Sequence, residues 1–206
     1  MLRRSKLAIS LVAWATKCRI VFLAGTMLAS SFAWAATIVD LDVQRDGACY
    51  RLSSVTYVDA VVEAVFEVLT DYDAFKRISS AYKESRFLAP HPDGTPIVYT
   101  RMKGCLLFFC TSMRRVERLE TDAPGFIRTT ALPEQSDVAY GQSEWILEPE
   151  AGGTRVTHRL TMQPDFWVPP VLGPWLLQKG LRKHGAAAAD RIEELAAERS
   201  PRRSRH

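Results

Sequence analysis

GQSEWILEPEAGGTRVTHRL, residues 141–160, is the stretch on which the fold turns. Ala151, Gly152 and Gly153 form a turn signal between two runs of alternating character, which is the mark of a β-hairpin. Side chains alternate across a strand, so Val156, His158, Leu160 and Met162 share one face, while Arg155, Thr157, Arg159 and Thr161 share the other. On the preceding strand Gly141, Ser143, Trp145 and Leu147 match the apolar face. One face of this hairpin is therefore expected to point inward and the other into water, with His158 the one titratable group on the inward stripe.

Working outward, the same grammar repeats. KESRFLA (83–89), IVYTRMKG (97–104), TSMRRVERLE (111–120) and FIRTTAL (126–132) read as strands separated by the turns HPDGTP and DAPG. Short strands joined by tight turns describe an antiparallel meander. Before them, ACYRLSSVTYV (48–58) reads as a strand and Asp59 as a helix N-cap. The helix AVVEAVFEVLTDY follows, with Val61, Val62, Val65, Phe66, Leu69 and Tyr72 at helical spacing. DAFKRISSAY is a second short helix or turn. After the meander, WVPPVLGPW (167–175) is a proline-punctuated loop. LLQKGLRKHGAAAADRIEELAAER then runs as one long helix with Leu177, Leu181, Ala188, Ile192 and Leu195 along a face. The expected architecture is α+β: a curved antiparallel sheet of about seven strands wrapped around the C-terminal helix, with two short helices after the first strand.

The ends of the chain are of a different composition. Arg3, Arg4, Lys6, Lys17 and Arg19 precede the uncharged run IVFLAGTMLASSFAWA (20–35), and Ala33-Trp34-Ala35 fits a small-x-small cleavage site. Residues 1–35 read as a secretory signal peptide, with an uncleaved membrane anchor as the alternative. Residues 36–44 follow as a lead-in, 45–198 as the folded domain and 199–206 as a basic disordered tail. The formal charge of +4 reflects 27 basic and 23 acidic residues. It falls to −1 without the leader's five basic residues and to −5 without Arg199, Arg202, Arg203 and Arg205. No basic domain remains for nucleic acid to bind. The sequence contains no Asn, which excludes glycosylation sequons and Cys-His-Asn chemistry. Its Cys and His spacing matches no metal pattern, so neither metal nor cofactor is expected. Cys18 leaves with the leader; Cys49, Cys105 and Cys110 remain, in an oxidising compartment (secreted or periplasmic) if export is right.

CLLFFC (105–110) has two readings: a strand buried on both faces, or a loop tip closed by a Cys105–Cys110 bridge. On one straight strand the two cysteines would stand over ~15 Å apart, beyond disulfide reach; across a hairpin they face one another. Each strand of a meander reverses direction, so this hairpin and the 167–175 loop fall at the same end of the sheet. That end would gather Leu106, Leu107, Phe108, Phe109, Trp167, Val168, Val171, Leu172 and Trp175. Such a patch is larger than an ordinary monomer exposes and calls for a membrane, a protein, or a ligand at a pocket mouth.

With these elements in order, the chain resembles the helix-grip fold of START-related lipid-transfer and polyketide-cyclase-like proteins (the SRPBCC superfamily), and within it the coenzyme Q-binding group. The resemblance rests on the strand into DAVVEAVFEVLTDYDAF (59–75), on the 141–160 hairpin and on the proline loop into PWLLQKGL, over roughly residues 45–197. It implies a hydrophobic molecule held between the sheet and the long helix.

The expected ligand-binding residues are Met102, Trp145, Val156, His158, Leu160, Met162, Trp175, Leu177 and Leu181. The expected pocket mouth, which also contacts membrane, comprises Leu106, Leu107, Phe108, Phe109, Trp167, Val171 and Leu172. Gly180, Gly185 and Ala186 to Ala189 leave room over the sheet, or simply allow close packing. The functional expectation is an exported, monomeric carrier of a lipid or isoprenoid quinone. Two rivals stand beside it: a cyclase or dehydratase with His158 as acid/base, and an interaction module docking through the apolar end.

Overall fold

A computed structural model describes residues 37–106, 109–168 and 174–199. The elements run β1 (Thr37–Asp46), β2 (Cys49–Val58), α1 (Val62–Thr70), a 3-10 turn (Phe75–Arg77), β3 (Tyr82–Leu88), β4 (Ile97–Leu106), β5 (Phe109–Asp122), β6 (Phe126–Ala131), β7 (Val138–Glu150), β8 (Gly153–Pro164) and α2 (Pro174–Arg199). The strands form one antiparallel sheet in the order β1-β2-β8-β7-β6-β5-β4-β3. The meander β3 to β8 is continuous, and β2 closes against β8, with Ser54 opposite His158 and Tyr50 opposite Met162. This is the helix-grip arrangement.

Three expectations are corrected. The sheet has eight strands, because the lead-in is β1: TIVDLDVQRD alternates Leu41 and Val43 inward between exposed Asp40, Asp42 and Gln44, and it pairs along β2. Asp59 does not cap α1. The cap position is Val61, whose side chain cannot accept a hydrogen bond, and the Asp59 amide instead donates to Glu193 Oε2 of α2 at 2.9 Å. Val61 itself is exposed. Arg199 belongs to α2 rather than to a tail: its guanidinium donates to Asp71 Oδ2 at 2.6 Å and to the Glu67 carbonyl at 2.7 Å, a second donor beside the Asp71 amide at the end of α1.

The β7–β8 turn explains its glycines. Gly152 adopts φ 88°, a conformation that favours glycine, and a Cβ on Gly153 would lie 2.4 Å from the Val58 carbonyl oxygen. That close approach lets β2 and the β7–β8 turn pack together.

The core is concentrated at one end. Val65, Val68 and Leu69 of α1 meet Ile192, Leu195 and Ala196 of α2, over Val58, Val98, Leu119, Ile127, Leu147 and Val156 of the sheet. Fully burying one such side chain contributes roughly 1.5–3 kcal/mol. The opposite half of the space between sheet and helix is not filled.

Candidate functional site

That unfilled half is a cavity of about 530 Å³. Its floor is the inward face of the sheet and its roof is α2, where Gly185, Ala188 and Ala189 face it with almost no side-chain bulk. Val156, His158, Leu160 and Met162 line it from β8, Trp145 and Ser143 from β7, and Met102 from β4. Leu181 lines it from α2 and is also partly in solvent. The side chains of Trp175 and Leu177 lie outside the described residues.

The mouth can be placed by register. Gly104, Cys105 and Thr111, near the tip of the β4–β5 hairpin, share the cavity wall with Pro164, the last residue of β8, and with Phe166 and Val168 beyond it. The two segments therefore meet at one end, as strand parity requires. Cys105 and Cys110 are joined by a disulfide and sit opposite one another in the β4–β5 ladder. Pairing continues to Leu106 and Phe109, so the bridge lies within the paired strands and the connection beyond it is tighter than a four-residue loop. Trp167 is 71% exposed. The side chains of Leu106, Leu107, Phe108 and Phe109, together with Val171 and Leu172, lie outside the described residues, as do the leader and residues 200–206. Cys49 is a free thiol on β2.

His158 sits deep in the cavity. Its ring stacks on Trp145 with centroids 3.8 Å apart, and its Nε2 is 2.8 Å from Ser143 Oγ. Burial, and then the positive charge of Arg115, pull its pKa down to about 3. It is a neutral hydrogen-bonding group at physiological pH.

Sequence reasoning missed the charged part of the wall. Arg115 lines the cavity and is only 8% exposed. Its Nη2 lies 3.2 Å from Oε2 of Glu117, which is 1% exposed and accepts from Thr129 Oγ1 at 3.0 Å through Oε1. Burial works against the guanidinium's charge, but Glu117 and the nearby tyrosines hold its pKa above the ordinary value. Tyr72 and Tyr82 also line this end. Burial pushes both phenols above the ordinary range; Glu117 pushes Tyr72 the same way, whereas Arg115 pulls Tyr82 partly back. A signal was present in RRVERLE. With Met113 inward, alternation along β5 puts Arg115 and Glu117 on the same inward face. The density of charge in that run reads as a solvated strand instead.

Polar side chains around the 3-10 turn have structural roles. Lys83 Nζ donates to the Ser80 carbonyl at 2.7 Å, not to its hydroxyl. Asp71 accepts from the Ala74 amide and from Arg199, and Asp73 from the Phe87 amide.

A curved antiparallel sheet gripping a long C-terminal helix over a hollow interior defines the START-related class of helix-grip proteins. The family model described as polyketide cyclase / dehydrase and lipid transport matches residues 50–197, and the chain belongs to that family. Among solved structures it is similar to a STAR-related lipid transfer protein from Xanthomonas axonopodis, with 15% identity, TM-score 0.57, and coverage of 79% of this chain and 99% of that one. It is similar also to the Zhui aromatase/cyclase from Streptomyces sp. R1128, with 15% identity, TM-score 0.56, and coverage of 76% and 98%. Human STARD10 shows 11% identity, TM-score 0.54, and coverage of 78% and 74%. At these identities the likeness is one of fold. Comparison with curated proteins returned no match.

Proposed function

We propose that the protein is an exported, monomeric carrier that holds one hydrophobic small molecule, a lipid or an isoprenoid quinone, between its sheet and α2. The observation that carries this reading is the cavity: about 530 Å³, walled almost entirely by apolar side chains and left open by the small residues of α2. That volume falls within the usual range for small-molecule sites. Affinity would come from apolar burial, and orientation from the few polar groups at the deep end. The mouth, framed by Gly104, Cys105, Thr111, Phe166 and Val168, would rest on a membrane while the ligand passes. The Cys105–Cys110 disulfide supports an oxidising compartment and hence export.

The cyclase reading is less well supported. It needs His158 to exchange a proton near neutrality, whereas that ring is neutral down to about pH 3, and its recorded hydrogen-bond partner is Ser143 rather than a carboxylate.

The test is organic extraction and mass spectrometry of protein purified without detergent, together with uptake from quinone-doped vesicles. Stoichiometric lipid or quinone is expected in at least one arm. Protein empty in both refutes the carrier reading. N-terminal sequencing of the mature chain, expected to start at Ala36, tests export.

A further inference from the structure

A second, smaller cleft of about 260 Å³ lies beside the main cavity, where the segment after the 3-10 turn meets α2. Arg77, Ser79 and Ser80 form one bank; His184, Ala187 and Arg191 form the other. The three helix positions are spaced i, i+3 and i+7, so they belong to a single stripe of α2. Ile78 is buried in the core and anchors the loop bank. Ser79, His184 and Ala188 also line the main cavity, so the two spaces share a wall.

The polar side chains of this lining can all donate. They are two guanidinium groups, two hydroxyls and an imidazole, and no carboxylate is among them. Arg191 Nε donates to the Arg77 carbonyl at 3.3 Å, which ties that guanidinium to the loop bank, and its Nη1 donates to Glu194. Arg77 Nη2 donates to Glu198 Oε2 at 2.8 Å. Among the described residues, Arg191 Nη2 and the Nε and Nη1 of Arg77 keep donor capacity for a further acceptor. Ser79 Oγ accepts from the Ala81 amide, so its O–H can still donate. Lys83 adds a cation, held against the Ser80 carbonyl at 2.7 Å. Glu194 and Glu198 stand outside the lining, with side chains 62% and 54% exposed. Ion pairs open to water hold their partners weakly, so neither glutamate keeps the arginines from a better acceptor. That acceptor is a tetrahedral oxyanion. Its oxygens reach both banks at once, and guanidinium–phosphate bonds are forked and stronger than neutral ones. A planar carboxylate repeats only what the glutamates already offer.

We propose that this cleft is a phosphate site outside the main cavity, in which Arg77 and Arg191 hold a phosphate monoester between the 77–80 segment and α2 while Ser80 and His184 donate to its remaining oxygens. The site does not depend on what the cavity holds. Such a phosphate has two sources: a small soluble ester, or the head group of an anionic lipid whose chain crosses the shared wall beside Ser79 and Ala188.

The probes are methyl phosphate, dodecyl phosphate and acetate, used at low salt and pH 8, where a phosphate monoester with a second pKa of about 6 is a dianion. Binding is measured by calorimetry on the purified protein, and its place by the His184 ring resonances, assigned with His184→Gln. Methyl phosphate is expected to fill one site and to move the His184 resonances but not those of His158. Acetate should bind about tenfold more weakly. Ala187 is exposed on the helix bank, so substitutions there test charge without threatening the fold. Ala187→Glu should weaken methyl phosphate about tenfold or more, the effect of one negative charge at contact range, whereas Ala187→Gln, of equal size, should hold it within about threefold. Arg77→Gln removes the loop-bank guanidinium and should also cost about tenfold. Dodecyl phosphate that binds tighter than methyl phosphate, and loses the same factor in Ala187→Glu, assigns the lipid source; two phosphates that bind alike assign the soluble one. No saturable binding of either phosphate, acetate binding equally well, unmoved His184 resonances, or equal affinities in Ala187→Glu and Ala187→Gln each overturns the site and leaves the carrier reading intact.

Discussion

His158 supplies a quantitative test of how dry the cavity floor is. In the unfolded chain its pKa is the ordinary 6.5, and in the folded protein burial and the Arg115 charge bring it to about 3. The unfolded state therefore takes up a proton that the folded state refuses. This contribution is complete above pH 6.5 and is lost as pH falls toward 3. Between pH 7 and pH 4.5 the unfolded imidazole gains about two pH units of protonation free energy, so His158 alone should remove roughly 2.5 kcal/mol. Carboxylates held low by their partners, Glu84 by Arg101 and Asp137 by Arg114, weaken the fold mainly below that window and are common to wild type and variant. The assay is urea unfolding, followed by far-UV circular dichroism, of wild type and His158→Gln at both pH values. Gln retains hydrogen-bonding capacity toward Ser143 but does not titrate. Wild type should lose about 2.5 kcal/mol more than the variant over this interval, whatever the difference in their baselines. Losses equal to within about 0.5 kcal/mol, or a His158 NMR titration midpoint above pH 5, would show that water reaches the floor and refute the reasoning.

Leu69→Ala, at a position 1% exposed beneath α2, should cost about 2–5 kcal/mol in chemical denaturation without altering ligand uptake, because Leu69 lies in the filled end of the domain. Gly153→Ala places a Cβ against the Val58 carbonyl and should cost about 2 kcal/mol, read as a lowered urea midpoint. Arg199→Ala should lower stability by about 1 kcal/mol and raise amide exchange at the last turn of α1, whose Glu67 carbonyl and Asp71 carboxylate lose the guanidinium. Reducing the Cys105–Cys110 bridge should leave the far-UV spectrum unchanged and cost about 2 kcal/mol or less, since the loop it closes is short.

What was legible in the sequence follows from how each element is stabilised. β7 and β8 carry clean alternation because one face meets the cavity and the other meets water, so their inward residues could be named individually. α1 and α2 showed apolar spacing because each buries a single stripe. β1 was missed because an edge strand with one short apolar pair, Leu41 and Val43, among Asp, Gln and Arg looks like a polar leader; its partner β2 supplies the order. Asp59 looked like a cap because local preference favours it there, but α1 starts only at Val62, so Asp59 stands two residues before the cap position. Arg115 and Glu117 were hidden for a different reason. A buried ion pair contradicts the rule that charge seeks water, and nothing local in RRVERLE says that a cavity lies in front of it.

That contradiction bears on why the cavity persists. Replacing a buried ion pair with apolar side chains of similar volume is often neutral or stabilising, so Arg115 and Glu117 are weakly justified as structural members. Apolar residues at positions 115 and 117 would also let the core at the α1 end spread into the shaft, because Tyr72, Phe75 and Ile192 already stand on the boundary between filled and hollow halves. A charged pair, with two neutral phenols and an imidazole around it, resists that collapse. Its polar atoms lose more by being covered with hydrocarbon than the core gains by closing over them. In Arg115→Met/Glu117→Gln the cavity volume, read from xenon uptake or from the volume change of pressure unfolding, reports whether the pair holds the space open. A variant that keeps the wild-type volume would refute that role.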